Sequence, residues 1–327
     1  MAVPLQVEPT GRAFEPAVTK PVAGRSLWRI AWSRLRRDKV ALGSAAFVVL
    51  VALVAILAPV VCSILGVTPN DPNYATLNPV TAMPAGSFGG ISPHHLFGVE
   101  PTNGRDVLAR VVYGARVSLL VATLATLLSV VLGTVLGLVS GYVGGWLGGL
   151  IARLMDLMLA FPVLLFAIAI VAVIPDSAFG LSGETLRLGI LIFIIGFFSW
   201  PYIGRIVRGQ VLSLKEKDFI AAARGTGAGP IQIMSHELLP NLVAPILVYT
   251  TLMIPTNILF EAALSYLGVG VRPPTASWGD MLSTAASGFY NVDPMYMVVP
   301  GVAIFLTVLA FNLLGDALRD AFDPRGG

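Results

Sequence analysis

The glycine-rich stretch GTGAGP at residues 225–230 is a first candidate for chemistry, because loops of this composition can bind phosphate groups. Pro230, however, occupies the position of the third glycine in the pattern G-x-G-x-x-G. No strand is expected before the stretch, and no G-K-[ST] sequence follows it. A nucleotide-binding site is therefore not expected here.

Two adjacent histidines, His94 and His95, could ligate a metal such as nickel, since imidazole is a common ligand for transition metals. No third ligand follows at metal-binding spacing, and the only cysteine, Cys62, lies inside an apolar run. We therefore interpret the histidines as loop residues and predict no metal site. Asp156 is assigned a structural role, paired with Arg153 one helical turn earlier.

Glu261 is the most unusual ionisable residue, because it falls late in an apolar run where a carboxylate facing lipid would be costly. Small residues surround it, which favours close helix packing. With Asn257 and Ser265 it could line a translocation path or a subunit interface. Alternatively, Glu261 is hydrated near the outer membrane interface, or it is paired with Arg272 or another loop residue.

The composition shows what kind of element must position these residues. Of the 327 residues, 56% are hydrophobic and only 12% are charged, compared with about 25% charged residues in a soluble domain. A bilayer core about 30 Å thick requires roughly 20 apolar residues in a helix. Six runs meet this requirement, at residues 40–65, 117–139, 157–174, 188–203, 242–267 and 295–314. The chain is therefore expected to be an all-α integral membrane protein with six transmembrane helices, surrounded by lipid and not bound to nucleic acid.

The distribution of Lys and Arg predicts the orientation, because cytoplasmic flanks carry an excess of these residues. With both termini in the cytoplasm, 16 of the 21 basic residues lie on the cytoplasmic side. The chain then divides into a tail at 1–39, a first helix with a long outer loop at 40–111, and a five-helix core at 112–327. Residues 1–24, which contain four prolines, are expected to be disordered.

This topology places a polar segment, residues 212–241, in the cytoplasm between the fourth and fifth spans. We expect a helix to about Arg224, a turn over the glycines, and a new helix beginning at Pro230. Ile231, Met234 and Leu238 should form the apolar stripe of that helix, and Pro240 should end it. Such a pair of helices could fit a groove in a partner protein or lie on the membrane surface.

The segments FIAAARGTGA and HELLPN within this region resemble the cytoplasmic coupling loop, or EAA motif, of permease subunits in ABC importers. The residues that the resemblance implicates in coupling are Phe219, Ala221, Ala222, Ala223, Arg224, Gly227, His236, Leu239 and Pro240. The glutamate that gives the motif its name is Ala221 here. An ion pair from that position is therefore missing, or Glu216 or Asp218 supplies it.

The resemblance extends from about residue 28 to residue 325 and is similar to the second membrane subunit of the dipeptide, oligopeptide and nickel importers. Four further segments carry it: HHLFGVEPTNGRDVLARVVYGARVSL (94–119), ARLMDLMLAFP (152–162), EAALSYLGVGVRPPTASWGDML (261–282) and FNLLGDALRDAFDPR (311–325).

This resemblance implies a type I importer transmembrane domain in the cytoplasmic (inner) membrane of a prokaryote, forming half of a pathway for peptides. It also implies the partners: a homologous permease subunit, two ATPase subunits and an extracytoplasmic binding protein. This chain would bind no cofactor and catalyse no reaction, because ATP and Mg would be bound by the ATPases. The alternatives are import of nickel or another small solute, or a self-sufficient secondary transporter.

Overall fold

The computed structural model describes residues 27–173, 177–178, 180–289 and 293–322. The proline-containing tail at 1–24 and the C-terminal Arg325, both used in the sequence-based topology, lie outside the described residues.

Helices make up most of the described chain, in the order expected of a membrane bundle. Their bounds are α1 (Leu27–Leu35), α2 (Lys39–Ile56), α3 (Ala58–Leu65), α4 (Val107–Val143), α5 (Gly145–Ala160), α6 (Val163–Val173), α7 (Gly183–Leu214), α8 (Asp218–Gly225), α9 (Pro230–Gln232), α10 (Leu239–Tyr266), α11 (Trp278–Thr284) and α12 (Met295–Phe322). Two π-helical segments, Ile233–Leu238 and Ala285–Phe289, adjoin α9 and α11, and a 3₁₀ turn covers Tyr74–Thr76. Two short strands, β1 (Ser177–Ala178) and β2 (Leu181–Ser182), pair antiparallel before α7.

Five continuous helices within the described residues are long and apolar enough to cross a membrane. A sixth crossing exists only if α5 and α6, which meet at 78°, together form one span. The sequence predicted an unbroken helix over 157–174, and this was wrong. Pro162 cannot donate a backbone hydrogen bond, and it favours the extended conformation seen at Phe161 (φ −82°, ψ 133°).

The first apolar run is also divided, because α2 ends at Ile56 and α3 begins at Ala58 with Pro59 in its first turn. The helix that contains the second apolar run, residues 117–139, is longer than that run. Asp106 caps α4 by accepting a hydrogen bond from the Ala109 backbone N–H (2.8 Å), so the helix begins well before residue 117. At about 1.5 Å per residue, the 37 residues of α4 exceed the thickness of a bilayer core.

Helix α4 packs most extensively against α7, and glycines at every fourth position make this contact close. A Cβ atom at Gly137 would lie 2.6 Å from the Gly204 carbonyl oxygen, so no larger residue fits without separating the helices. Helix α10 packs against α4 and α12, and α2 packs against α12. We call the end of the bundle that carries residues 215–238 the hairpin end, and the end that carries residues 66–106 and α11 the loop end.

Candidate functional site

The polar segment between α7 and α10 folds into two short helices joined by a glycine turn, the 218–238 hairpin. The expected continuous helix from Leu212 to Arg224 was wrong, because α7 ends at Leu214 and α8 begins at Asp218. The intervening residues 215–217 form a turn in which the Lys217 N–H donates to the Leu214 carbonyl (3.0 Å). Helix α8 is therefore separated from the spanning helix by a sharp turn.

Gly227 forms the turn of the hairpin, as predicted, with φ +86°. The Ala228 N–H donates to the Ala223 carbonyl and the Gly227 N–H to the Arg224 carbonyl, both at 3.0 Å. This pair of bonds is the Schellman motif, which requires a left-handed residue after the helix cap. No described atom lies within 4 Å of a Cβ built on Gly227. Glycine is thus needed for its backbone conformation and not for space within the chain.

The second arm of the hairpin begins at Pro230, as expected, and then widens into a π-helix over Ile233–Leu238. Ile233 and Leu238, which are five residues apart, are both buried, while Ile231 is 78% exposed. The predicted stripe of Ile231, Met234 and Leu238 was wrong for Ile231, because that prediction assumed the periodicity of an α-helix.

Pro240 does not end this arm, contrary to the sequence-based prediction. The helix runs without a break over Pro230–Tyr266, and the Leu239 N–H donates to the Met234 carbonyl in the π-helical pattern. The wider π turn immediately before Pro240 accommodates a residue that has no N–H to donate. The side-chain amide of Asn241 donates to the Glu237 carbonyl (2.6 Å). The hairpin is consequently continuous with a spanning helix.

The hairpin has one buried face and one exposed face. Ile220, Ile233 and Leu238 pack in one cluster with residues of α4 and α7, including Leu138 and Val211. Three large apolar side chains are exposed here: Phe219 (38% exposed) and Ile231 (78%) in the hairpin, and Leu239 (37%) directly after it. The other predicted coupling residues also lie at this surface: Ala221, Ala222, Arg224, Gly227, His236 and Pro240 are exposed, and Ala223 is partly buried.

Arg224 connects the hairpin to the end of α4, with its guanidinium 5.6 Å from the centroid of the Tyr142 ring. The expected pair of Arg153 and Asp156 is present at 3.7 Å, and Asp156 also accepts a hydrogen bond from Arg205 of α7, which the sequence did not reveal. Among the described residues, neither Glu216 nor Asp218 forms a salt bridge that would replace the missing motif glutamate.

Glu261 lies in the interior of the chain and is 0% exposed. Its carboxylate accepts hydrogen bonds from the Ser118 hydroxyl (2.7 Å) and the Ser265 hydroxyl (2.8 Å). Asn257 is also buried and donates to Thr126 (2.8 Å). These residues hold α10 against α4. Their role on a translocation path or a subunit interface stays a prediction. Within the described part of the chain, no salt bridge joins Glu261 to Arg272. Ser118 was not identified from the sequence, because it is 143 positions away.

A buried ionic cluster joins the long loop to the helices at the loop end. Glu100 accepts hydrogen bonds from Arg105 (2.5 Å) and from the Tyr296 hydroxyl (2.7 Å), and Arg110 contacts Asp280 at 3.3 Å. Burial raises the pKa of Asp280 to about 6, although Arg110 opposes the shift.

The two histidines considered as nickel ligands are both placed at this end. The His95 ring lies 2.7 Å from the Asp106 carboxylate, whereas His94 is exposed. No group of three metal-ligating side chains occurs within the described ranges.

The described chain combines apolar spanning helices with an exposed hairpin that continues into one of them, and its family match identifies it as a non-catalytic membrane permease subunit. Residues 133–326 match the family described as "Binding-protein-dependent transport system inner membrane component", and the chain belongs to this family of inner-membrane ABC transporter subunits. Residues 26–80 match the "N-terminal TM domain of oligopeptide transport permease C". The assignment to the peptide and nickel branch is thereby confirmed.

Curated relatives agree over nearly the whole chain. The "Glutathione transport system permease protein GsiD" of Salmonella typhimurium (strain LT2) is 43% identical over 312 residues, covering 94% of both chains. The protein of the same name from Escherichia coli O6:K15:H31 (strain 536) is 40% identical over the same length and coverage.

Proposed function

We propose that this chain forms half of the translocation pathway of an ATP-driven importer for short peptides. The observation that carries the proposal is the 218–238 hairpin, whose apolar side chains are exposed although its opposite face is packed into the bundle. Similarity to permeases named for glutathione transport supports a peptide substrate.

The proposed assembly contains a second, homologous permease subunit, two ATPase subunits that bind ATP and Mg, and an external binding protein. Phe219, Ile231 and Leu239 form the surface that docks in a groove of an ATPase. Docking of the ATPase moves the hairpin. The buried Ile233 and Leu238 and the unbroken helix over Pro230–Tyr266 then transmit this movement into the bundle, giving alternating access.

The hairpin end lies in the cytoplasm in this proposal. Basic residues are concentrated there, in keeping with the positive-inside rule: Arg205, Arg208, Lys215, Lys217 and Arg224.

The orientation is tested with an impermeant thiol reagent added outside intact cells, using a Cys62→Ser background. Exposed Ser87→Cys at the loop end should react, and exposed Ser213→Cys at the hairpin end should not. Ser277, a natural first choice for such labelling, is unsuitable because it is buried. Labelling of Ser213→Cys from outside would reverse the orientation.

The function is tested by purifying the chain with its partners, identifying the ligand of the binding protein, and measuring uptake in reconstituted vesicles. Glutathione and a tripeptide such as trialanine should accumulate with ATP and not with a non-hydrolysable analogue. Ni²⁺ uptake without peptide uptake would reject the peptide proposal. Peptide uptake that needs no ATPase subunit would instead identify a secondary transporter.

A further inference from the structure

Two adjoining clefts open at the loop end between α4, the start of α7 and the segment before α11. The first has a volume of about 290 Å³ and is bordered by Arg116, Glu184 and Asn70, among others. The second has a volume of about 310 Å³ and is bordered by Glu184, Arg187 and Arg272, among others. Glu184 and Thr275 border both clefts, so the two form one continuous surface depression.

The charged side chains of these clefts differ from those of the ionic cluster nearby. Arg110 and Glu100 are buried and paired with each other and with neighbouring groups. Arg116, Glu184 and Arg272 are exposed, and within the described residues none of the three forms a salt bridge or a side-chain hydrogen bond. Their charges are therefore available to a ligand.

The position of these charged groups in the bundle indicates that the clefts are exposed to water. Arg116 lies in the third turn of α4 and directly precedes the apolar run that begins at Val117. An ionisable side chain at such a depth normally faces a water-filled cavity or another protein surface and not lipid. The clefts also have mixed walls, with apolar Val117 and Leu188 beside polar Tyr113 and Thr275. Apolar walls with a few charged groups are typical of small-molecule sites.

We propose that these clefts form a recognition site for a short peptide that carries two carboxylates and one ammonium group. Glu184, at the junction of the clefts, pairs with the ammonium, and Arg116 and Arg272, on either side of it, pair with the two carboxylates. Arg187 also borders the second cleft, but it already interacts with another group of the chain. The charged groups left for a ligand are thus two guanidinium groups and one carboxylate, which complement such a peptide in both number and sign. The inference rests on the proposed peptide function and assigns its substrate class within this subunit.

The test measures ATP-dependent uptake by the assembled importer from saturating binding protein loaded with one of two probes. Glutathione has two carboxylates and one ammonium, whereas trialanine has one of each. Loss of a charged hydrogen bond predicts a decrease of about tenfold in the uptake rate. Arg116→Gln or Arg272→Gln should cause this decrease for glutathione and change trialanine uptake much less, whereas Glu184→Gln should slow both peptides. Arg153→Gln is the matched control, because Arg153 is exposed at the opposite end, and it should change neither rate.

Other outcomes separate this inference from the proposed function. If all three cleft variants take up both peptides at the wild-type rate, the recognition site is overturned, whereas the proposed function as a peptide importer still stands. Arg variants that slow both peptides equally overturn the charge assignment. If the defect of a variant disappears when anionic phospholipid is removed from the vesicles, the ligand of the clefts is a lipid headgroup, and the peptide recognition site is overturned. If the wild type takes up neither peptide, the proposed function and this inference fail together.

Discussion

The two ends of the bundle are held together by different interactions. At the loop end, charged groups are buried and paired: Arg110 is 0% exposed and lies between Glu100 and Asp280. At the hairpin end, buried side chains such as Ile233 and Leu238 are aliphatic, and charged side chains such as Lys217 and Arg224 lie at the surface.

This difference separates a fixed region from a movable one. Breaking a buried ion pair leaves an uncompensated charge in a medium of low dielectric constant, so the loop end resists rearrangement. Apolar contacts are non-directional, and a packed aliphatic face can shift without losing specific partners. We therefore expect the loop end to determine stability and the hairpin end to determine coupling.

The largest effect is expected when the ionic cluster is broken. Arg110→Met leaves Asp280 buried without its counter-ion and removes one of the two guanidinium groups paired with Glu100, which should cost about 3–5 kcal/mol. Thermal unfolding of the purified complex in detergent should show a large decrease in Tm. Arg153→Met, at an exposed position, should leave Tm unchanged. Equal Tm values for wild type and Arg110→Met would show that the cluster does not stabilise the loop end.

The next largest effect is expected at the turn of the hairpin. Gly227→Val places a β-branched residue at φ +86°, at a cost of about 1–2 kcal/mol. Such a cost should leave membrane insertion intact, since no described atom would clash with the added Cβ. Uptake should be lost although the protein is present in near-normal amount, because the added side chain points away from the chain toward the docked ATPase. Full uptake and full ATPase retention by this variant would favour a hairpin that lies on the membrane surface.

A smaller effect concerns pH. Because the pKa of Asp280 is raised in the folded protein to about 6, the folded state binds this proton more tightly than the unfolded state. This contribution to stability is present below about pH 4 and is lost as pH rises through about 6. The Tm of Asp280→Asn should depend less on pH over that range than the Tm of the wild type, with the difference measured in matched buffers. Parallel pH profiles would assign the titration to another group.

The smallest effect is expected for Ala221→Glu, which restores the residue that the family motif has. Ala221 is exposed, and Lys217 and Arg224 lie within one helical turn of it, so the added charge can be offset. Uptake and ATPase binding should stay close to wild type in the pull-down and vesicle assays. A marked loss would mean that the ATPase surface is matched to alanine at this position.

The sequence was informative where local chemistry determines structure. Apolar runs located the spans, and the glycines around Gly227 located the turn, because both signals depend on neighbouring residues. The sequence was misleading where the type of helix, or a contact between residues far apart in the chain, determines the structure. The π-helix rotated Ile231 out of the predicted stripe, and Ser118 reached Glu261 from another helix. No periodicity in a single sequence encodes either arrangement.

The exposed face of the 218–238 hairpin is expected to contact an ATPase subunit, and site-specific photo-crosslinking measures this contact. A benzophenone amino acid is placed at Ile231, with Ile64 of α3 as the control, because both side chains are 78% exposed. In membranes that contain the whole importer, the probe at Ile231 should crosslink to an ATPase subunit, and the probe at Ile64 should not. Absence of that crosslink from Ile231, or crosslinking of Ile231 to lipid alone, would contradict this expectation.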